Sequence, residues 1–162
     1  MLRLFGDKLR YLRRQHRLTQ TDLSQHLDLA SQAYISDLEA GRKIPSSDLV
    51  VRIADMFSVT TDYLLRDEIP VESQATFPLR EAQREALPIN QFGEKLRNLR
   101  QQQRLTQTTL VQRVGLASQA YVSDLEAGRK VPSLDLVVRL AELFGVTTDY
   151  LLRNTDPSQD RG

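Results

Sequence analysis

Apolar residues recur along this chain at helical spacing and never in strict alternation, so the pattern predicts helices and no sheet. Phe5, Leu9, Leu12 and His16 fall at i, i+4, i+7 and i+11, a stripe for a first helix. Thr19 is placed to cap a second helix, with Leu23 and Leu27 facing inward. A short connection through Asp28, Leu29 and Ala30 leads to Ser31, another good cap. Ile35 and Leu38 then give a third helix only a narrow apolar seam. Gly41 stands where helices stop. Pro45-Ser46-Ser47 opens a fourth helix carrying Leu49, Val50, Ile53, Ala54 and Phe57, and Thr60 or Thr61 caps a last turn with Tyr63, Leu64 and Leu65. The Tyr63 ring is expected to pack under the first helix as core.

The same pattern then returns. A shift of 87 positions aligns Phe5–Arg66 with Phe92–Arg153 without a gap, and 46 of the 62 pairs are identical. LASQAYISDLEAGRKIP at 29–45 reappears as LASQAYVSDLEAGRKVP at 116–132, where only Ile35/Val122 and Ile44/Val131 differ. The first two helices are looser, with Tyr11/Asn98, Arg14/Gln101, Asp22/Thr109, Ser24/Val111, His26/Arg113 and Asp28/Gly115 among the changes. Units of about 62 residues lie near the lower size limit for a domain that folds alone. The predicted architecture is all-α: two five-helix domains, 1–66 and 92–153, joined by a linker at 67–91 and followed by a flexible tail at 154–162.

Composition removes several kinds of chemistry. The chain has 162 residues and no cysteine, so disulfides and thiolate metal sites are excluded. His16 and His26 suit solvated surface rather than a metal site, and no cofactor is expected. No apolar run reaches the ~18 residues of a membrane span, and no secretion signal is visible, so a cytoplasmic location is expected. No nucleophile–base pair, phosphate loop or metal spacing suggests an enzyme. Net charge is only +1. It is unevenly spread: +2 over 1–66, +3 over 88–153 and −3 over 67–87.

The most informative surface is that of the third helix. Ser31, Gln32, Ala33, Tyr34, Ser36 and Asp37 offer hydrogen-bonding groups and little apolar area. Glutamine can bond two atoms of an adenine edge, serine can bond most bases, and alanine can touch a thymine methyl. An ordinary solvated face has the same look, but such a face drifts between duplicated copies, as the first two helices did. Here Ser118, Gln119, Ala120, Tyr121, Ser123 and Asp124 repeat the set without change. Asp37 and Asp124 admit two roles: accepting from cytosine N4, or pairing with a nearby arginine. Tyr34 and Tyr121 can reach DNA or stack locally.

Each unit resembles the helix-turn-helix domain of the phage repressor and Cro family, the xenobiotic-response-element type. The resemblance rests on Leu9-Arg10-x-Leu12-Arg13, Leu18-Thr19-Gln20-x-x-Leu23, Ile35-Ser36-x-Leu38-Glu39-x-Gly41, Pro45-Ser46 and Val59-x-x-Asp62-Tyr63-Leu64-Leu65, repeated 87 residues on. It implies a DNA-binding transcriptional regulator, a repressor, of prokaryotic or phage origin and associated with the nucleoid. Double-stranded DNA is the implied partner. It further implies that Gln20 and Gln107 bond a phosphate and brace the recognition helix. Gln32 and Gln119 fall at the first base-reading position, and Ala33 and Ala120 at the next. Ser36, Asp37, Ser123 and Asp124 fall near the later base-facing turn. Arg13–Glu39 and Arg100–Glu126 resemble a salt bridge tying the first helix to the third. Arg42, Lys43, Arg129 and Lys130 should meet phosphates.

Two further expectations concern assembly. LREAQREAL at 79–87 is expected as a short helix, for docking or self-association. A monomeric pseudo-dimer and a homodimer with four reading heads both fit the sequence. The competing function is a protein-interaction module on the same fold, such as an antitoxin or anti-repressor.

Overall fold

The computed structural model describes residues 3–72 and 90–153. The helix expected at 79–87 and the tail at 154–162 lie outside the described residues. Unit 1 contains α1 (Phe5–Gln15), α2 (Gln20–His26), α3 (Gln32–Glu39), α4 (Ser47–Phe57) and α5 (Thr61–Leu65). Unit 2 repeats them as α6 (Asn90–Gln102), α7 (Gln107–Val114), α8 (Gln119–Glu126), α9 (Leu134–Phe144) and α10 (Thr148–Leu152). There is no strand among the described residues, and no helix there is long and apolar enough to cross a membrane.

Local chemistry sets the helix starts. The Thr19 hydroxyl accepts from the Asp22 amide, and the Asp22 carboxylate accepts in return from the Thr19 amide at 2.8 Å, a reciprocal capping box. Ser46 accepts from the Leu49 amide and Thr60 from the Tyr63 amide, which settles the last cap on Thr60. Thr106, Ser133 and Thr147 do the same in unit 2.

One small core closes each unit. In unit 1 it is built from Phe5, Leu9, Leu12, Leu23, Leu27, Ile35, Leu38, Val50, Ile53, Ala54, Phe57 and Leu64, all buried. In unit 2 the counterparts run from Phe92 and Leu96 to Phe144 and Leu151. His16 lies on solvated surface, as expected, but not on the α1 stripe where its spacing placed it. It is exposed and lies past the end of α1, where Arg17 turns the chain at φ 55°; its ring meets Phe57 at a 56° tilt, with centroids 5.0 Å apart.

Two contacts orient the first helix. Gly6 faces the end of α3 so closely that a Cβ there would lie 2.6 Å from the Glu39 carbonyl oxygen. Only glycine allows this approach. Lys8 is buried and donates to the Tyr63 and Arg66 carbonyls at 2.6 and 2.5 Å, supplying the orphan acceptors at the end of α5. Its ammonium sits 5.1 Å from the centre of the Tyr63 ring. Burial lowers the Lys8 pKa, and burial pushes the Tyr63 phenol up to about 12. Tyr63 is core, as expected, and its hydroxyl donates to the Val71 carbonyl. The Asp67 carboxylate accepts from the Arg3 and Leu4 amides. The chain leaving α5 therefore stays on its own unit as far as Val71. Lys95 repeats the lysine contacts, donating to the Tyr150 and Arg153 carbonyls.

Candidate nucleic-acid interface

The third helix of each unit is held by a narrow seam. Ile35 and Leu38 are fully buried, which turns Ala33 and Asp37 to the opposite side and leaves Tyr34 and Ser36 on the flanks. Ser31, Gln32 and Ala33 are exposed; Tyr34, Ser36 and Asp37 are half-buried. Unit 2 presents Ser118 through Asp124 in the same classes. The sequence-predicted residues of α3, and of α8, thus run along the side away from the core and along its two flanks.

Ser31 occupies the cap position of α3, yet its hydroxyl makes no capping hydrogen bond, and Ser118 behaves alike. The other described caps of α2, α4, α5, α7, α9 and α10 all use their side chains. Only at the third helix is the hydroxyl left unused by the helix it starts. The Tyr34 amide turns back to the Ser31 carbonyl at 3.2 Å, and the start of the helix suits an outside acceptor.

A buried carboxylate organises the same end of the site. The Glu39 side chain is 1% exposed. One oxygen accepts from Arg13 Nε at 2.5 Å; the other accepts from Arg13 Nη2 and Gln20 Nε2, both at 3.0 Å, and from Arg10 Nε at 3.4 Å. Gln20 Oε1 in turn accepts from Gln32 Nε2 at 3.1 Å. Carboxylate oxygens only accept, so Gln20 must show Glu39 its NH2 group and Gln32 its oxygen. Gln32 must then spend one N–H on Gln20. Its carbonyl oxygen and second N–H remain, the pair that matches an adenine edge. Unit 2 holds the same relay: Arg100 to Glu126 at 2.6 Å, Gln107 to Glu126 at 3.0 Å, and Gln119 to Gln107 at 3.2 Å. Burial by itself raises the Glu39 and Glu126 pKa, but hydrogen bonds from Arg13 and Gln20, and from Arg100 and Gln107, outweigh it and hold both below the ordinary range.

The loop after α3 is tied back to Asp37. Gly41, at φ 68°, reverses the chain so that the Arg42 and Lys43 amides both reach the Asp37 carbonyl, at 2.9 and 3.3 Å. Their side chains follow. Arg42 Nε donates to Asp37 Oδ1 at 2.8 Å, and Lys43 Nζ lies 3.4 Å from Oδ2. Lys43 also sits 5.0 Å over the Tyr34 ring. Of the two roles open to Asp37, the structure shows the pairing, with lysine added to the expected arginine. Arg129, Lys130, Asp124 and Tyr121 repeat it, with the lysine–tyrosine distance at 5.2 Å. The hydrogen bond from Arg42 holds the Asp37 carboxyl below its usual range; burial opposes it, and the hydrogen bond from Lys43 and the two cationic charges add to it. Beside these cations stand the exposed apolar residues Ile44 and Val131.

Sequence reasoning missed Gly6 and the Lys43–Tyr34 contact. Both are identical in the two copies, so matched polar and glycine positions were the available signal. What they touch depends on how α1 and the loop approach α3.

The helix-turn-helix domain family matches residues 4–66 and again 91–153. Among curated proteins, the chain is 41% identical over 65 residues to the "uncharacterized HTH-type transcriptional regulator YobD" of Bacillus subtilis, covering 40% of this chain and 57% of that one. It is 32% identical over 69 residues to the "SPbeta prophage-derived uncharacterized HTH-type transcriptional regulator YonR" of the same organism, covering 43% and 63%. It is 31% identical over 72 residues to the "ImmF control region 10 kDa protein" of Bacillus phage phi105, covering 44% and 79%. The matches thus span about three fifths of the first two relatives. No solved structure gives a significant match.

Proposed function

The chain belongs to the helix-turn-helix domain family, with two copies in one polypeptide, and from that premise we propose that it is a sequence-specific DNA-binding transcriptional regulator, acting as a repressor. One reader is used twice. The observation that carries this reading is the relay ending on Gln32 and Gln119. Each holds an outward amide whose polarity is set by a buried carboxylate, and each stands beside an alanine, serines and an unused cap hydroxyl.

In this reading Gln20, Ser31 and the first amides of α3 clamp phosphate, while Gln32, Ala33 and Ser36 meet base edges. Gln107, Ser118, Gln119, Ala120 and Ser123 do so in unit 2. Tyr34 and Tyr121 flank the groove. Arg42, Lys43, Arg129 and Lys130 face phosphates from the loop. A single unit binds weakly, and the tether raises the effective concentration of the second. Conventional dimers meet half-sites roughly 34 Å apart. The chain between Glu72 and Asn90 can span about 60 Å when fully extended, so reach does not restrict half-site orientation.

A gel shift on duplexes enriched from a random pool tests the reading. The full chain should retain a selected sequence, and Gln32→Ala together with Gln119→Ala should cost about 1–3 kcal/mol of discrimination at each contacted position. If no duplex is enriched, or the alanine variants bind the selected one unchanged, the polar face serves a protein partner instead.

A further inference from the structure

Sequence-independent binding to DNA is almost wholly electrostatic, and its salt slope counts the cations that replace counterions on phosphates. Each unit has one pair of adjacent cations directly after its third helix, Arg42-Lys43 and Arg129-Lys130. Both pairs are exposed, and both are bound to a carboxylate on the helix itself. The carboxylate holds the arginine on one oxygen and the lysine on the other, so two positive charges act on a phosphate as about one. The contact is not an accident of one loop. The backbone amides of both cationic residues also bond the aspartate carbonyl, and the ring of Tyr34 or Tyr121 lies under the lysine. The arrangement recurs in unit 2 with distances within 0.2 Å of those in unit 1.

We propose that Asp37 and Asp124 are brakes on sequence-independent DNA binding: each carboxylate sits on the reading helix and withholds part of the adjacent arginine–lysine pair from phosphates. The proposal rests on the DNA-binding reading above. It explains a feature that reading leaves unused, an acid placed beside the adjacent loop cations of a face that approaches a polyanion. Base-directed contacts from Gln32, Ala33 and Ser36 do not depend on that pair, whereas phosphate attraction does.

The test measures affinity of the full chain for random-sequence duplex across a salt series, for the wild type, Asp124→Asn and Glu142→Gln. Asparagine still accepts from Arg129, so the loop keeps a hydrogen bond and loses only the charge. Glu142, exposed on the last turn of α9, makes the same change in net charge away from α8. Asp124→Asn should steepen the log–log salt slope by about 0.9 and tighten random-duplex binding about eightfold at 0.1 M salt. Glu142→Gln should do neither. Unchanged or weaker binding by Asp124→Asn, with the wild type binding normally, overturns this proposal alone. So does an equal gain from Glu142→Gln. Failure of all three proteins to bind any duplex even at low salt overturns the DNA reading and the proposal with it.

Discussion

A carboxylate that can only accept hydrogen bonds dictates the direction of every amide beyond it. Glu39 is such a group, and three residues from two other helices converge on it: Arg10 and Arg13 of α1 and Gln20 of α2. Removing it leaves Arg13 half-buried without its partner, and Glu39→Ala should cost about 3 kcal/mol of unit 1 stability. The pH dependence has a definite sign. The folded Glu39 pKa is lowered from 4.5, so its stabilising contribution is complete above that value and is lost as pH falls through the folded one. Denaturant midpoints of the wild type should therefore fall on acidification below about 4.5, and Glu39→Gln should flatten that part of the profile. An unaltered acid profile in the glutamine variant would mean that Glu39 is not the titrating group. The Arg13–Glu39 pair was legible in the sequence through family resemblance. The partners of Asp37 were only half legible, because the reach from residue 37 to 42 and 43 exists only once Gly41 has reversed the chain.

Two differences between the copies fall just past helix ends. Asp28 and Ser58 hold left-handed backbone in unit 1, at φ 47° and 55°, where unit 2 has Gly115 and Gly145 at 68° and 67°. A left-handed residue with a side chain costs roughly 1–2 kcal/mol, offset in part by the greater freedom glycine loses on folding. Asp28→Gly and Ser58→Gly should each stabilise unit 1 by about 1 kcal/mol, and Gly115→Asp and Gly145→Ser should destabilise unit 2. The Arg52–Asp28 ion pair lost in the first variant is 3.5 Å long with Asp28 90% exposed, too weak to reverse the sign. Denaturation followed for each variant checks this, and a loss of stability in Asp28→Gly would refute it. Helix starts were legible because Thr or Ser followed by an amide three residues on is local chemistry. The end of α1 was not: the apolar stripe runs on to His16, but the helix ends at Gln15 and the chain turns left-handed at Arg17. Gly6 was equally opaque, since its reason is the carbonyl of Glu39 at the far end of another helix.

For the whole molecule, duplication carries more information than composition. A net charge of +1 points to no partner. Two identical polar faces in copies whose first two helices have diverged do point to one, and the structure shows that the relay, the unused cap hydroxyl and the carboxylate-held cations recur together in both units. On the proposed reading, identical side chains at 31–34, 36 and 37 and at 118–121, 123 and 124 give the two units the same base preference. The most direct measurement is selection of bound duplexes from a random pool by the full chain, followed by footprinting of the winners. Two protected copies of one short motif should appear in each selected duplex, in either orientation. Two unrelated half-sites would contradict this reading.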